Sequence, residues 1–213
     1  KKKDTSLLHH LIGSRSLVWN LAKNDIKKKF AGSYFGVVWA FVQPVITVLL
    51  YWFVFEKGLN SKATDLRTGI EIPFVLWLTA GLVPWFYFQE ALNGGTGVLV
   101  EYSYLVKKVV FQIDMLPVVK MISALFTHLF FVAFTIVLFI CMGYMPDWYA
   151  LQVVYYSFCM ILFATGLVYA TSAVTVFFRD MKEVVGILLQ IGMWVTPIMW
   201  NFETMVQIPG WAI

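Results

Sequence analysis

Apolar positions along this chain change their pattern at one point, and the rest of the sequence is ordered around that change. From Ser16 to Phe30 they recur with a helical period. At about 100° per residue, Leu17, Val18, Trp19, Leu21, Ala22, Ile26 and Phe30 share a broad arc, with Asn20, Lys23, Asn24, Lys27 and Lys28 opposite. Asp25 and Lys29 fall on the apolar arc and interrupt it. After Ala31-Gly32-Ser33 the period gives way to an apolar run that meets no charge until Glu56. The first pattern predicts a basic amphipathic helix, lying on a membrane surface or solvated beside it; the second predicts a helix that enters the membrane.

The first span is expected from about Tyr34 to Phe55, close to the ~20 residues that cross a ~30 Å hydrocarbon core. Gly32 and Gly36 form a GxxxG at its entrance, readable as a close helix approach or simply as a turn. A polar loop, Glu56 to Glu71, follows. Pro73, Gly81 and Pro84 predict a kinked or broken second span from near Ile72, with Gln89, Glu90 and Asn93 reaching the far interface. Gly94-Gly95-Thr96-Gly97 reads as a flexible stretch; it lacks the lysine and strand–turn–helix setting of a phosphate loop. Within Glu101 to Lys120 a short amphipathic helix is expected, with Leu105, Val109, Ile113 and Leu116 on one side. Such a helix suits a groove on a soluble partner or the bilayer surface. The third span covers about Val118 to Cys141. The fourth, Tyr149 to Phe178, is longer than needed and so tilted or protruding. A charged turn, Arg179 to Glu183, leads to a short fifth run, Val184 to Trp200, that contains Pro197.

Composition excludes a water-soluble domain. Hydrophobic residues make up 60% of the chain and charged residues 13%, with a mean hydropathy of +0.76; soluble domains carry about 45–50% and about 25%. The apolar runs are continuous, where barrel strands alternate, so the spans are helices and the fold class is all-α, a polytopic helical membrane protein. Lysine and arginine set its orientation: thirteen lie on the side of the N-terminus and only Lys57, Lys62 and Arg67 on the other, which places the N-terminus in the cytoplasm. The opening residues hold no apolar run of signal-peptide length. Cys141 and Cys159 sit within apolar runs and are expected to pack as small hydrophobes.

No enzyme or metal site is visible, because the chain lacks a Walker sequence, HExxH, a nucleophile elbow and any clustered Cys/His set. His128, mid-span, reads as a packed histidine bonded to a neighbouring helix rather than a proton relay. Glu90, near an interface, reads as the partner of a cytoplasmic lysine. The aromatic residues include interfacial candidates (Trp19, Tyr51, Trp52, Trp148, Tyr149, Trp200 and Trp211) and four deeper ones, Trp39, Trp85, Tyr87 and Trp194. The deeper set either lines a path on which sugar rings and lipid tails slide or simply packs between helices. The spans carry too few charges for an ion-coupled pump, so energy must be delivered at the cytoplasmic loops.

Three stretches, WNLAKNDIKKKFAGSYFGVVWAFVQP, LVKKVVFQIDMLPV and FFRDMKEVVGILLQIGMWVTPI, resemble signature regions of type-2 ABC exporter permeases. More narrowly, they resemble the branch that exports lipid-linked O-antigen, wall teichoic acid and capsule. The resemblance runs from about Leu17 to Pro209 and implies a single permease domain over residues 1–213. Residues 1–31 are then the cytoplasmic N-terminus with its interface (gate) helix, and 33–213 the transmembrane region. It implies six spans with an outer re-entrant segment after the fifth; five are visible here, and the missing sixth suggests a truncation. It implies a non-catalytic, channel-forming subunit in a bacterial inner membrane, working as a homodimer with two nucleotide-binding subunits that carry ATP and Mg. No cofactor is expected on this chain itself, and its other partners are membrane lipids and an undecaprenyl-diphosphate-linked polysaccharide, not nucleic acid. Arg15, Lys23, Lys27, Lys28 and Lys29 would meet the diphosphate headgroup. The coupling helix Ser103–Ile113 would meet the ATPase subunit through Tyr104, Leu105, Lys107, Lys108 and Phe111, with Asp114, Arg179 and Asp180 adding contacts. The alternatives are a type-2 exporter of hydrophobic small molecules and a membrane scaffold.

Overall fold

A computed structural model describes residues 15–61, 63–64, 69, 71–103 and 113–200. Helix α1 is Arg15–Lys29, within one residue of the expected amphipathic segment. A 3-10 turn, Gly36–Val38, feeds α2 (Trp39–Trp52), which closes in a π-helical turn at Phe53–Gly58. Two-residue strands β1 (Ala63–Thr64) and β2 (Glu71–Ile72) pair antiparallel in the following loop. Then come α3 (Phe74–Thr96), the single turn α4 (Val98–Glu101), α5 (Leu116–Cys141), α6 (Gln152–Phe177) and α7 (Met181–Val195).

Between α1 and α2, Gly32 and Gly36 have φ of 86° and 54°, in the left-handed region, and nothing approaches either within 4 Å. They make a turn, not a helix contact. Expected spans one to four each correspond to a helical run, and Gly36–Gly58, Ile113–Cys141 and Trp148–Phe177 are long and apolar enough to cross a membrane. Among the described residues three helices are of that length and composition; α3 ends in a polar segment and α7 has 15 residues. Helix α3 is not broken at Pro84, as its prolines suggest; it is helical from Phe74 to Thr96. A proline removes one backbone donor, and here it sits on the helix's exposed side while Leu82, Val83 and Tyr87 are packed around it.

Helix α3 is the hub. Twelve of its residues are buried, against α2, α5, α6 and α7, whereas only 6% of the first span is buried. The helix with the most buried surface is also the one that carries Gln89, Glu90 and Asn93. Tyr87, Ala91 and Leu92 of α3 meet Met121 and Ala124 of α5, Ala164 and Val168 of α6, and Val185 and Leu189 of α7. Gly94-Gly95-Thr96, expected to be flexible, is helical and supplies the closest approach. A Cβ on Gly95 would lie 2.4 Å from Cγ1 of Val168, so only glycine lets α3 and α6 meet there. One residue on, Thr96 bonds Thr171 across the same seam at 3.0 Å. At the other end of α3, Gly81 makes room for Ile198, which with Met199 folds back under α3 after α7. That return falls where the re-entrant segment is expected; residues 201–213 lie outside the described residues.

Cys141 and Cys159 are exposed on the bundle's outer surface, not packed inside as expected. In a lipid-facing bundle an apolar neighbourhood in sequence does not imply an interior position. Gly95→Ala is expected to destabilise the detergent-solubilised protein by about 1–3 kcal/mol through overpacking, and Val168→Ala in the same chain should recover most of the loss. Thermal unfolding of the two variants checks this.

Candidate functional site: a polar cavity beneath the amphipathic helix

Helix α1 is held to the bundle by one apolar and two ionic contacts. Val18 and Ala22 pack with Met115 and Val119 at the start of α5. Asp25, buried to 7% exposure, accepts hydrogen bonds from Lys120 Nζ at 2.6 Å and from Tyr102 Oη at 2.8 Å. Lys120 also pairs with Glu101 at 3.0 Å. One turn further along α1, Lys29 pairs with Glu90 of α3 at 2.7 Å. Asp25 and Lys29 are the two residues that interrupt the apolar arc, and both are docking contacts. The expected pairing of Glu90 with a lysine is present.

Docking α1 in this way closes one side of a cavity of about 860 Å³, within the ~300–1,000 Å³ typical of small-molecule sites. Its walls come from α1, α2, α3 and α5, with Lys182 reaching in from α7. Lysines outnumber carboxylates on the lining four to three: Lys28, Lys29, Lys120 and Lys182 against Asp25, Glu90 and Glu101. Gln43, Gln89, Asn93, Ser123 and Thr127 add neutral hydrogen-bonding groups, and Phe30, Pro44, Ile46, Phe86 and Phe131 add apolar surface. The cavity is thus cationic and amphipathic, fitted to a ligand with an anionic group and an apolar part.

The basic residues expected at a headgroup site divide. Lys28 and Lys29 line the cavity. Lys28 lies over the Tyr102 ring at 5.1 Å and Lys29 over Phe30 at 5.5 Å. Arg15, Lys23 and Lys27 are exposed and lie off the lining, Lys23 stacked over Trp19 at 5.2 Å. Lys120 and Lys182, not among the expected set, are on the lining. Their only signal in the sequence is a lysine at the foot of a span and another in a charged turn.

The four deep aromatics are not brought together. Tyr87 is buried on the cavity wall, its ring 5.1 Å from that of His128. Trp85 packs against Gly192 of α7 and Phe88. Trp39 and Trp194 are exposed on the outer surface. His128 Nε2 lies 3.2 Å from Ser157 Oγ on α6, the neighbouring-helix bond expected of it. Interhelical bonds of this kind contribute about 0.6 kcal/mol on average.

Of the residues expected to meet an ATPase subunit, Tyr104, Leu105, Lys107, Lys108 and Phe111 lie outside the described residues. Asp114 is half-buried, and its backbone carbonyl accepts from Tyr169 Oη at 2.6 Å. Arg179 and Asp180 are exposed in the turn before α7. Asp114, Arg179 and Asp180 share the end of the bundle that carries α1. No cluster of three or more His, Cys, Asp or Glu suited to a metal exists among the described residues.

Residues 16–213 match the ABC-2 type transporter family. The chain belongs to that family. It is accordingly a transmembrane transporter subunit of the kind that works with an ATP-binding subunit. It is similar to the O-antigen export system permease protein RfbA of Myxococcus xanthus, with 25% identity over 198 residues, 93% of this chain and 73% of the relative. Two O-antigen export system permease proteins RfbA of Klebsiella pneumoniae are 22% and 20% identical, each over 91% of this chain and 72% of its own length. For an ABC-2 subunit, the bonds from Asp25 to Tyr102 and Lys120 tie α1 to both flanks of the segment 104–112.

A double-mutant cycle tests that tie. Asp25→Ala should cost about 1–3 kcal/mol, because it removes one of the two carboxylates that hold a nearly buried lysine and the acceptor of the Tyr102 hydroxyl. The Asp25→Ala/Lys120→Met pair should cost less than the sum of the single changes, as read by thermal unfolding in detergent.

Proposed function

We propose that this chain is the permease half of an ATP-driven exporter of lipid-linked polysaccharide, in the manner of an O-antigen exporter. The observation that carries this reading is the cationic, amphipathic cavity under α1, in a chain whose relatives over nine-tenths of its length are named for O-antigen export. The lysines attract a diphosphate headgroup at the inner leaflet, each worth ~1 kcal/mol near an anionic surface. The apolar lining receives the first part of a polyprenyl chain.

The distribution of basic residues favours a cytoplasmic N-terminus in a bacterial inner membrane. Lys29 and Lys120 then stand at the cytoplasmic end of the bundle, the side on which the ATP-binding subunits act. A homodimer gives the exposed apolar faces of α2, α6 and α7 either a second copy or lipid to pack on. Trp39 and Trp194, exposed in one chain, become available to line a glycan path between two copies, with Tyr87 on the cavity side. ATP and Mg belong to the partner subunits in this reading.

Export of hydrophobic small molecules is the competing activity. The test is ATP hydrolysis by the permease–ATPase complex in lipid nanodiscs. Undecaprenyl-diphosphate-linked glycan should stimulate it severalfold, and hydrophobic drugs should not; the reverse outcome would falsify the polysaccharide reading. Within the basic set, Lys28→Gln should reduce that stimulation and Lys27→Gln should leave it near wild type, since Lys28 lines the cavity and Lys27 does not.

A further inference from the structure

The cavity's four lysines are not equivalent. Lys29 is neutralised by Glu90 at 2.7 Å. Lys120 is held by Asp25 at 2.6 Å and Glu101 at 3.0 Å. Lys28 is stacked on Tyr102. Lys182 makes no ion pair among the described residues, although Asp180 and Glu183 are its near neighbours in the chain.

Its position is built by the glycine-rich end of α3. The Lys182 Cδ lies 3.7 Å from where a Cβ on Gly97 would stand, and the Lys120 Cδ lies 3.7 Å from the same point on Gly94. Two lysine stems therefore run against bare backbone at the foot of α3 and extend to the same cavity. Asn93, Gln89 and Ser123 add neutral hydrogen-bonding groups to the same lining. An ammonium without a carboxylate partner, on a cavity that also offers amide and hydroxyl groups, is suited to take a phosphate oxygen as its counter-charge.

We propose that Lys182, set across Gly97 and sharing the cavity lining with Lys28, is an anion-binding residue that engages the phosphate-class group of an amphiphilic substrate. The inference rests on the export reading and adds a substrate contact from the turn before α7. Lys29 and Lys120 hold α1 in place, and Lys182 supplies the cation that is left over for the ligand. Because the residue is exposed, its replacement does not threaten the fold.

The experiment uses the permease–ATPase complex in phosphatidylcholine nanodiscs, titrated with undecaprenyl diphosphate, with the uncharged undecaprenol, and with inorganic pyrophosphate as competitor. Wild type should prefer the diphosphate lipid. Lys182→Gln should weaken that binding about fivefold, the equivalent of the ~1 kcal/mol for one lysine near a charged surface. Lys182→Arg should restore it, and binding of the uncharged undecaprenol should not change. The wild-type preference should also fall with salt. Competition by pyrophosphate, lost in Lys182→Gln, supports a site that reads the diphosphate itself; no competition with the same loss of lipid affinity supports one that needs the group on its lipid. Unchanged lipid affinity in Lys182→Gln overturns the assignment and leaves the export reading standing, and a fall in basal hydrolysis alongside it would make Lys182 an ATPase contact. Failure of wild type to prefer the diphosphate lipid overturns both.

Discussion

Asp25 and Lys120 form the ion pair that positions everything at the end of the bundle carrying α1. An isolated charge at so low an exposure is costly, and a single removed partner leaves the other stranded. The pair is tolerable because Tyr102 donates a second hydrogen bond to Asp25 and Glu101 gives Lys120 a second acceptor. Without it, α1 would be held by a small apolar patch and the more exposed Lys29–Glu90 pair alone. With it, α1 has one register on α5. That register brings Lys28 and Lys29 to the cavity and leaves Arg15, Lys23 and Lys27 outside.

Below that contact the bundle is organised by how closely helices can approach. Apolar surface gains little by leaving lipid for protein, so association relies on packing and on interhelical hydrogen bonds. Gly95 against Val168 and Gly81 against Ile198 provide close approaches on α3. Thr96 to Thr171 and His128 to Ser157 add cross-helix bonds. The same physics explains the outer surface, where Phe158, Leu162, Phe163, Ile187, Leu188 and Ile191 remain exposed in one chain. It also explains the two exposed cysteines, whose apolar neighbours in sequence face outward with them.

Several features are legible in the amino-acid sequence because they depend on local pattern. The amphipathic period of α1, the apolar runs of α2, α5 and α6, and the bonding of His128 to a neighbouring helix all follow from composition and spacing. Glu90 is readable as a lysine's partner because its depth along α3 places it near the interface. The glycines resist the same reasoning. Gly32 and Gly36 have the spacing of a helix contact and make a turn, whereas Gly94-Gly95-Thr96 looks flexible and is a packed helix end. A glycine's role depends on what approaches it, and that partner can be more than seventy residues away, as Val168 is from Gly95.

Local sequence is enough to make this chain a helical membrane protein, to place its apolar runs and to make one end of the bundle basic. Each of these rests on the transfer of side chains and backbone out of water, which acts on every segment separately. Which lysines face the cavity is a matter of packing, and so is the role of Asp25 and Lys29, blemishes on an apolar arc that turn out to dock it. The reason is that an ion pair is defined by two positions at once. Asp25 with Lys120, Lys29 with Glu90, and Lys182 with Gly97 are separated along the chain by distances no local pattern spans, and only the packing of α1, α3, α5 and α7 brings them within reach.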